Sequence, residues 1–323
     1  MGSHVIQLLS RRGQNVTALV RDDNGRRLVE SLGASAVRGC VEDRRVWSHA
    51  AGADVIVHAA AIITNRSPWR FYQEINVDGA RHAALASAEC GARLVHISSV
   101  AVYGRRRELH APYVDERTPW AELRSTDFYA RSKRGAEEAV SAIAREKSLS
   151  VVSLRPCLMY GERDRTFLPR VLPLLRFGVA PLIGHGGNAL ALVYAGNVAD
   201  AVLAALQHPE ARGPFNVTDD GRITQREFFE AVGNAIGRHT RFVRLPLPLA
   251  SSLAFAWFGL RRILMPAKYA GVGASAARYL AAGNPYRSAR ARSELEWRPS
   301  TAPREALERS VRWFVNETTR RDR

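Results

Sequence analysis

The sequence predicts an α/β protein built on a doubly wound, largely parallel sheet, and three observations carry that expectation. Apolar, β-branched runs at 16–20, 55–59, 94–97 and 151–154 are too short for helices and read as buried strands. Helix-period stretches at 71–90 and 128–145 lie between them. The alternation repeats as far as Pro156, and strand–helix alternation folds as parallel strands joined by right-handed crossovers.

In chain order, 5–12 reads as a helix following Met1-Gly2-Ser3-His4, and the strands and helices above then alternate. Beyond Tyr160 the pattern loosens. Segments 167–177 and 197–206 read as helices, Phe215-Asn216-Val217 as a short strand, and 225–236 as a helix capped by Thr224. No internal repeat or low-complexity linker interrupts the chain. The expected organisation is a first domain over 1–160 and a smaller, interleaved C-terminal lobe over 161–323.

Composition narrows the class. At 323 residues, with 46% hydrophobic and 24% charged residues, the chain is an ordinary globular protein. Cys40, Cys90 and Cys157 are scattered without metal spacing, so no metal site and no disulfide frame is expected. No secretory leader pattern opens the sequence, and a cytoplasmic protein is expected. The net charge of +16 comes almost wholly from arginine, because Lys133, Lys147 and Lys268 are the only lysines. The arginines form neither a stripe nor a DNA-binding motif, so no specific nucleic-acid partner is expected.

The chemistry is concentrated in Tyr129-Ala130-Arg131-Ser132-Lys133 and in His96-Ile97-Ser98-Ser99-Val100. Residues four apart on a helix share a face, so Tyr129 and Lys133 lie one turn from each other. A phenol with an ordinary pKa near ~10 is a poor base at neutral pH. A neighbouring ammonium is expected to lower that value. Ser99 is placed to hydrogen-bond the same substrate oxygen. Together the three form a device for moving a proton on or off a secondary alcohol while a hydride moves elsewhere.

The surrounding motifs are ordered. Val55-Ile56-Val57-His58-Ala59-Ala60-Ala61 runs from strand to small-residue loop, and Asn76-Val77-Asp78-Gly79 opens a helix. Ser98-Ser99 is followed by Val102-Tyr103-Gly104, and Leu154-Arg155-Pro156 by Tyr160-Gly161. From residue 2 to about 315 this set resembles the extended short-chain dehydrogenase/reductase, or NAD-dependent epimerase/dehydratase, family. The resemblance implies a Rossmann-like sheet binding NAD or NADP, with Ser99, Tyr129 and Lys133 catalytic. It implies that Tyr129 and Lys133 also touch the cofactor, Lys133 at the nicotinamide ribose. Gly2, Val41, His58, Ala59, Ala60, Asn76, Ser98 and Pro156 are the further cofactor-binding positions, and Asn76 is expected to help place Lys133. Cys40 stands where an adenine-binding aspartate is usual, while Asp43 is retained. Arg21 follows the second family strand where NAD enzymes carry an acid, which favours the 2′-phosphate of NADP.

The family's glycine-rich turn has three glycines, and Gly2 matches the third. The first strand and two glycines are therefore expected to be missing. A truncated or misplaced start is the simplest reading, with a cofactor-free descendant or a vector-derived Met-Gly-Ser-His as alternatives.

Substrate class turns on 181–201. Sugar-nucleotide members carry an Arg-Asp-Phe-x-Tyr run there, and this chain has Leu190-Ala191-Leu192-Val193-Tyr194. Together with 183–188 and Asn197-Val198, this is more similar to the 3β-hydroxysteroid and sterol dehydrogenase branch. The expected reaction is oxidation or reduction of a secondary alcohol or ketone on an apolar, steroid-like or terpenoid-like molecule. The alternatives are a nucleotide-sugar 4-epimerase or dehydratase, and a non-catalytic binding protein of the same fold. The uncharged stretch 245–260, followed by Arg261-Arg262, is too short to span a bilayer. It is expected to be either a core or lid helix over the substrate, with Phe255, Trp257 and Phe258, or a peripheral membrane contact through 245–262. A homodimer is compatible with all of this.

Overall fold

A computed structural model describes residues 1–63, 67–104, 113–175, 177–220, 222–253, 256 and 279–321. The chain forms two compact units. The first comprises Met1–Cys157, Gly196–Val217 and Tyr286–Arg298, and the second Leu158–Ala195, Thr218–Pro285 and Pro299–Arg323.

The first unit opens with α1 (Gly2–Arg11), β1 (Thr17–Val20), α2 (Asp23–Ser31) and β2 (Ser35–Arg38), and β1 pairs with β2 in parallel. Asp22 starts α2 by accepting from Gly25 N at 2.7 Å, an N-cap that satisfies an otherwise orphaned amide. A four-stranded parallel sheet follows in the order β3 (Val55–His58), β4 (Arg93–Ile97), β5 (Val151–Pro156), β9 (Gly213–Val217). Its helices are α3 (Trp69–Tyr72), α4 (Gly79–Cys90), α5 (Phe128–Glu146), α7 (Ala195–Gln207) and α9 (Ala289–Glu294). Among the described residues β1 pairs only with β2, and β3 only with β4, so each of β1 and β3 has one unpaired edge.

Register explains where the chemistry sits. Ile56, Leu94 and Val151 are neighbours in one row of the sheet, and two residues on the same face carries His58, His96 and Ser153. The next row holds Ser98, Arg155 and Asn216. One sheet face thus turns from apolar to polar toward the carboxyl ends of the strands. Helix α5 mirrors it. Ala136, Val140 and Ile143 pack with Ile56, Leu94, Val151 and the alanines of α4, while Lys133 and Glu137 lie one and two turns after Tyr129. The alanines Ala80, Ala83 and Ala84 are fully buried. Gly79 is required at its position, because a Cβ there would come within 2.9 Å of the Val41 side chain.

The second unit holds two parallel strand pairs. They are β6 (Leu158–Tyr160) with β8 (Leu192–Tyr194), and β7 (Val179–Ile183) with β10 (Arg241–Leu245). Helices α6 (Leu168–Leu175), α8 (Gln225–Ala235) and α10 (Pro303–Arg321) complete it. Its core gathers Tyr160, Leu168, Leu182, Leu192, Tyr194, Phe228 and Leu307. Thr224 caps α8 as expected, in a reciprocal capping box with Glu227.

Candidate active site

The site assembles where β4 ends. Ser99 is extended, with φ of −166°, and caps the short 3-10 helix Val100–Tyr103 by accepting from Ala101 N at 3.1 Å. That cap fixes the serine relative to the strand end. Tyr129 lies in the first turn of α5, and its phenol is hydrogen-bonded to the Ser99 side chain. Lys133, one turn on, is 3% exposed and donates from Nζ to the Ile97 carbonyl at 2.8 Å. The three residues picked out by sequence therefore converge on one strand end.

The electrostatics differ from the sequence expectation. Burial raises the Tyr129 phenol above its ordinary value, and the Ser99 hydrogen bond only partly offsets this. Lys133 was expected to be the group that lowers that pKa. Instead burial pushes the Lys133 ammonium down to about 8, against the opposing pull of Glu137. At neutral pH the phenol is protonated and is the form that donates.

Asn76 acts on this site through structure. It sits in a π-helical turn over Gln73–Asp78, a local widening that recurs at functional sites. Its amide accepts from Ile62 N at 2.8 Å, donates to Ile62 O at 3.0 Å, and donates to Ser132 Oγ at 2.9 Å. Ser132 in turn donates to the Tyr129 carbonyl at 2.8 Å. Asn76 thus clamps the loop after β3 to the residue before Lys133, and reaches the lysine through Ser132.

At Ser98, a position the resemblance assigns to the cofactor, the hydroxyl donates to Glu137 Oε2 at 2.6 Å in the interior. Glu137 also binds Arg155, whose Nε lies 3.1 Å from both carboxylate oxygens. Arg155 donates to Tyr103 Oη at 2.8 Å, and Tyr103 donates to Asn216 Oδ1 at 2.8 Å. Sequence reasoning gave none of Glu137, Arg155, Tyr103 or Asn216 a role. The available signals were an acid four residues after Lys133 and an arginine inside an apolar strand.

His58 is buried and stacks on His96, with ring centroids 5.6 Å apart and planes 8° from parallel. Burial holds His58 neutral, at about 3, and lowers His96 as well. His58 Nε2 and both ring nitrogens of His96 lack a hydrogen-bond partner. Both imidazoles are neutral and act here as packing groups.

The remaining cofactor positions are dispersed around the sheet ends. Gly2 opens α1, and a Cβ there would meet nothing within 4 Å, so the helix N-terminus is open to approach. Arg21 is exposed after β1; Arg26 pairs with Asp23 and Arg27 with Asn24, whereas no acid pairs with Arg21 among the described residues. Val41 accepts the Trp47 indole N–H at 3.1 Å and packs at Gly79. Ala59 and Ala60 are half-buried in the loop after β3, and Pro156 is buried at the end of β5. The Asp43 carboxylate is engaged by Arg45. The donor set fits a nicotinamide ribose: an ammonium has three donors, and Lys133 is seen to use one on Ile97, beside a hydroxyl pair aimed out from the strand end.

Comparison with known proteins settles the family. The NAD dependent epimerase/dehydratase profile matches residues 1–218. The chain belongs to the NAD dependent epimerase/dehydratase family. It is 28% identical over 268 residues to the 4-hydroxy-2-methyl-3-oxo-4-farnesyl-3,4-dihydroquinoline-1-oxide ketoreductase of Stigmatella aurantiaca, covering 82% of this chain and 79% of that protein. It is 28% identical over 309 residues to the ceramide reductase of Caulobacter vibrioides, covering 94% and 84%. A sterol-4-alpha-carboxylate 3-dehydrogenase of Saccharomyces cerevisiae is 28% identical over 277 residues, covering 81% and 77%. Among solved structures, MoeE5 in complex with UDP-glucose and NAD superposes with a TM-score of 0.70 at 20% identity, over 98% of this chain and 96% of that one. That likeness shows the fold. This family member is an enzyme of the extended short-chain class with an NAD-binding fold, similar to the sterol dehydrogenase branch.

In the second unit Leu190 is 1% exposed and packed in the core with Leu192 and Tyr194. It is a buried apolar residue where the sugar-nucleotide pattern calls for arginine. Phe255, Trp257, Phe258, Arg261 and Arg262 lie outside the described residues. Trp69 and Tyr72, missed by sequence reasoning, stack on each other and pack with Phe128, whose ring lies 5.9 Å from each, immediately before Tyr129. The Tyr72 hydroxyl is buried without a partner and close enough to Tyr129 to affect its pKa.

Proposed function

We propose that this enzyme interconverts a ketone and a secondary alcohol on an apolar substrate of steroid-like, terpenoid-like or long-chain character. The observation that carries the reading is the Ser99–Tyr129 hydroxyl pair at the end of β4, with buried Lys133 one turn away. In the reductive direction, protonated Tyr129 donates to the carbonyl oxygen and Ser99 polarises it. Lys133 holds positive charge beneath the phenol as the proton leaves. Nicotinamide, when bound, exchanges the hydride with the carbinol carbon. Lys133, Asn76 through Ser132, and the loop at Ala59-Ala60 are the residues assigned to position it.

Three features support the apolar class. Leu190 stands where a diphosphate-gripping arginine is usual, and Trp69, Tyr72 and Phe128 surround the base of Tyr129. The relatives named above are a ketoreductase of a farnesylated compound, a ceramide reductase and a sterol dehydrogenase. Arg21 supports NADP over NAD, since a guanidinium unpaired by any described acid suits a 2′-phosphate.

The test is a side-by-side screen of steroid, terpenoid and long-chain ketones and of UDP- and dTDP-sugars, following NAD(P)H oxidation. Net oxidation with an apolar ketone is expected. Conversion of a nucleotide sugar without net cofactor change, and with no apolar ketone accepted, overturns the proposal in favour of an epimerase.

A further inference from the structure

The second unit exposes apolar side chains unevenly. Among its described residues seven large apolar side chains are 38–74% exposed, and six of them, Phe177, Val179, Val243, Leu247, Leu249 and Leu253, come from two stretches of chain, Val315 on α10 being the seventh. The β7–β10 register explains why they share a surface. Arg241 is beside Val179 and Val243 beside Pro181, while Ala180, Leu182 and Phe242, on the alternate positions, pack into the core. One face of this strand pair is therefore core and the other exposes valines. Phe177 precedes β7 at one end, and the helical segment 247–253 continues from β10 at the other. Gly178 brings the 238–240 turn in close, its Cβ direction meeting the His239 carbonyl at 2.9 Å.

The charged residues of the strand pair itself are arginines, while on the core side Glu230 pairs with Arg226, whose guanidinium lies over the Phe242 ring. Arg238, Arg241 and Arg244 are exposed. Residues 177–183 and 231–253, which supply both strands and their described flanks, contain no aspartate or glutamate. With Arg238 and Arg241 beside the exposed valines, two copies docked face to face would oppose like charges. The patch suits an apolar boundary overlaid with negative charge.

We propose that the outer face of β7 and β10, with Phe177 and the 247–253 segment, seats on a membrane surface containing anionic lipid. Phe177, Leu249 and Leu253 enter the headgroup–acyl boundary, and Arg238 and Arg241 meet phosphates, Arg244 falling on the alternate side of β10 with Phe242. The seating is peripheral, as no helix among the described residues is long and apolar enough to cross a membrane. It places the enzyme where apolar substrates partition, yet rests on no assumption about the substrate.

Flotation of the full chain with phosphatidylcholine vesicles, with and without phosphatidylglycerol, tests this. Binding to the anionic vesicles that weakens with added salt is expected. With roughly 1 kcal/mol for each basic residue near an anionic surface, the Arg238→Gln/Arg241→Gln variant should bind about 30-fold more weakly. Phe177→Ser/Leu249→Ser should also lose binding while keeping its circular dichroism spectrum and melting temperature, because these side chains are exposed. No binding to anionic vesicles at low salt overturns the proposal. So does binding that neither variant reduces, which would place the contact elsewhere. A concentration-dependent dimer in light scattering that Phe177→Ser/Leu249→Ser abolishes, with vesicle binding absent, assigns the face to a second copy instead.

Discussion

Replacing Glu137 with glutamine should be among the most damaging single changes to this fold that leave side-chain volume intact. Glu137 and Arg155 form an ion pair whose side chains are 6% and 4% exposed. The carboxylate accepts from Ser98 Oγ and from the Arg155 guanidinium, which also donates to Tyr103. Glutamine keeps hydrogen-bonding capacity and removes the charge, leaving Arg155 buried without a counter-ion. Breaking one side of a buried pair costs about 3–5 kcal/mol. Against a total stability of ~5–15 kcal/mol, that is a large fraction. Urea unfolding of the wild type, Glu137→Gln, Arg155→Met and the double variant gives the cycle, with a constant m-value as the check on two-state behaviour. The double variant should recover much of the loss, because neither charge is then stranded. A Glu137→Gln cost below about 1 kcal/mol, or a double variant as unstable as the two singles added, would refute the reasoning. Glu137 also opposes the downward shift of Lys133, so its neutralisation should move the alkaline limb of cofactor binding to lower pH.

Tyr129→Phe should reduce turnover by the ~10²–10⁴ typical of a lost acid–base group while leaving NAD(P)H affinity nearly unchanged by fluorescence titration. Lys133 makes stability depend on pH. Its ammonium is held at about 8 in the fold, below the ~10.4 of an unfolded chain, so between these values the unfolded state binds more protons and stability rises with pH. The gain should approach ~3 kcal/mol by pH 10.4, and urea midpoints of wild type against Lys133→Met should show a difference that shrinks across that window. A pH-independent difference would contradict it. Arg21→Asp should weaken NADPH and strengthen NADH, and equal affinity of the wild type for both would remove the argument for NADP.

How much of this was legible beforehand follows from which signals are local. Period-2 and period-3.6 patterns marked the four strands of the first unit that carry long apolar runs, and Tyr129 and Lys133 were adjacent by helix geometry alone. Strands β2, β6, β7, β8 and β10 were missed because none carries an unbroken β-branched run of the kind at 55–57, Ala36-Val37 in β2 for example being flanked by the polar Ser35 and Arg38. Pro181 and Arg244 further blur the pattern in β7 and β10. A parallel pair seated on a core can tolerate both: Pro181 falls on the outer face, and the Arg244 side chain is exposed. The buried network was invisible for another reason. Arg155 and Asn216 are register partners on β5 and β9, Ser98 follows β4 with its N–H on Leu154 O, and Glu137 reaches them from α5, a meeting only the sheet register creates.

That register also explains why the electrostatic expectation failed where the geometric one held. Sequence spacing could say that Lys133 is near Tyr129. It could not say that the same sheet end buries both groups, so that desolvation raises the phenol and leaves it protonated. The Glu137–Arg155 pair beneath them then has a consequence beyond stability. Glu137 is the acid that favours the charged form of Lys133, and Arg155 shares that carboxylate. Arg155→Met should therefore leave more of Glu137's field for Lys133 and shift its titration upward, the opposite direction to Glu137→Gln. A pH titration of cofactor binding in the two variants distinguishes this coupling from simple loss of folding, because destabilisation alone would lower both amplitudes without moving either midpoint. Midpoints displaced in opposite directions would show that the buried pair sets the charge at the site above it.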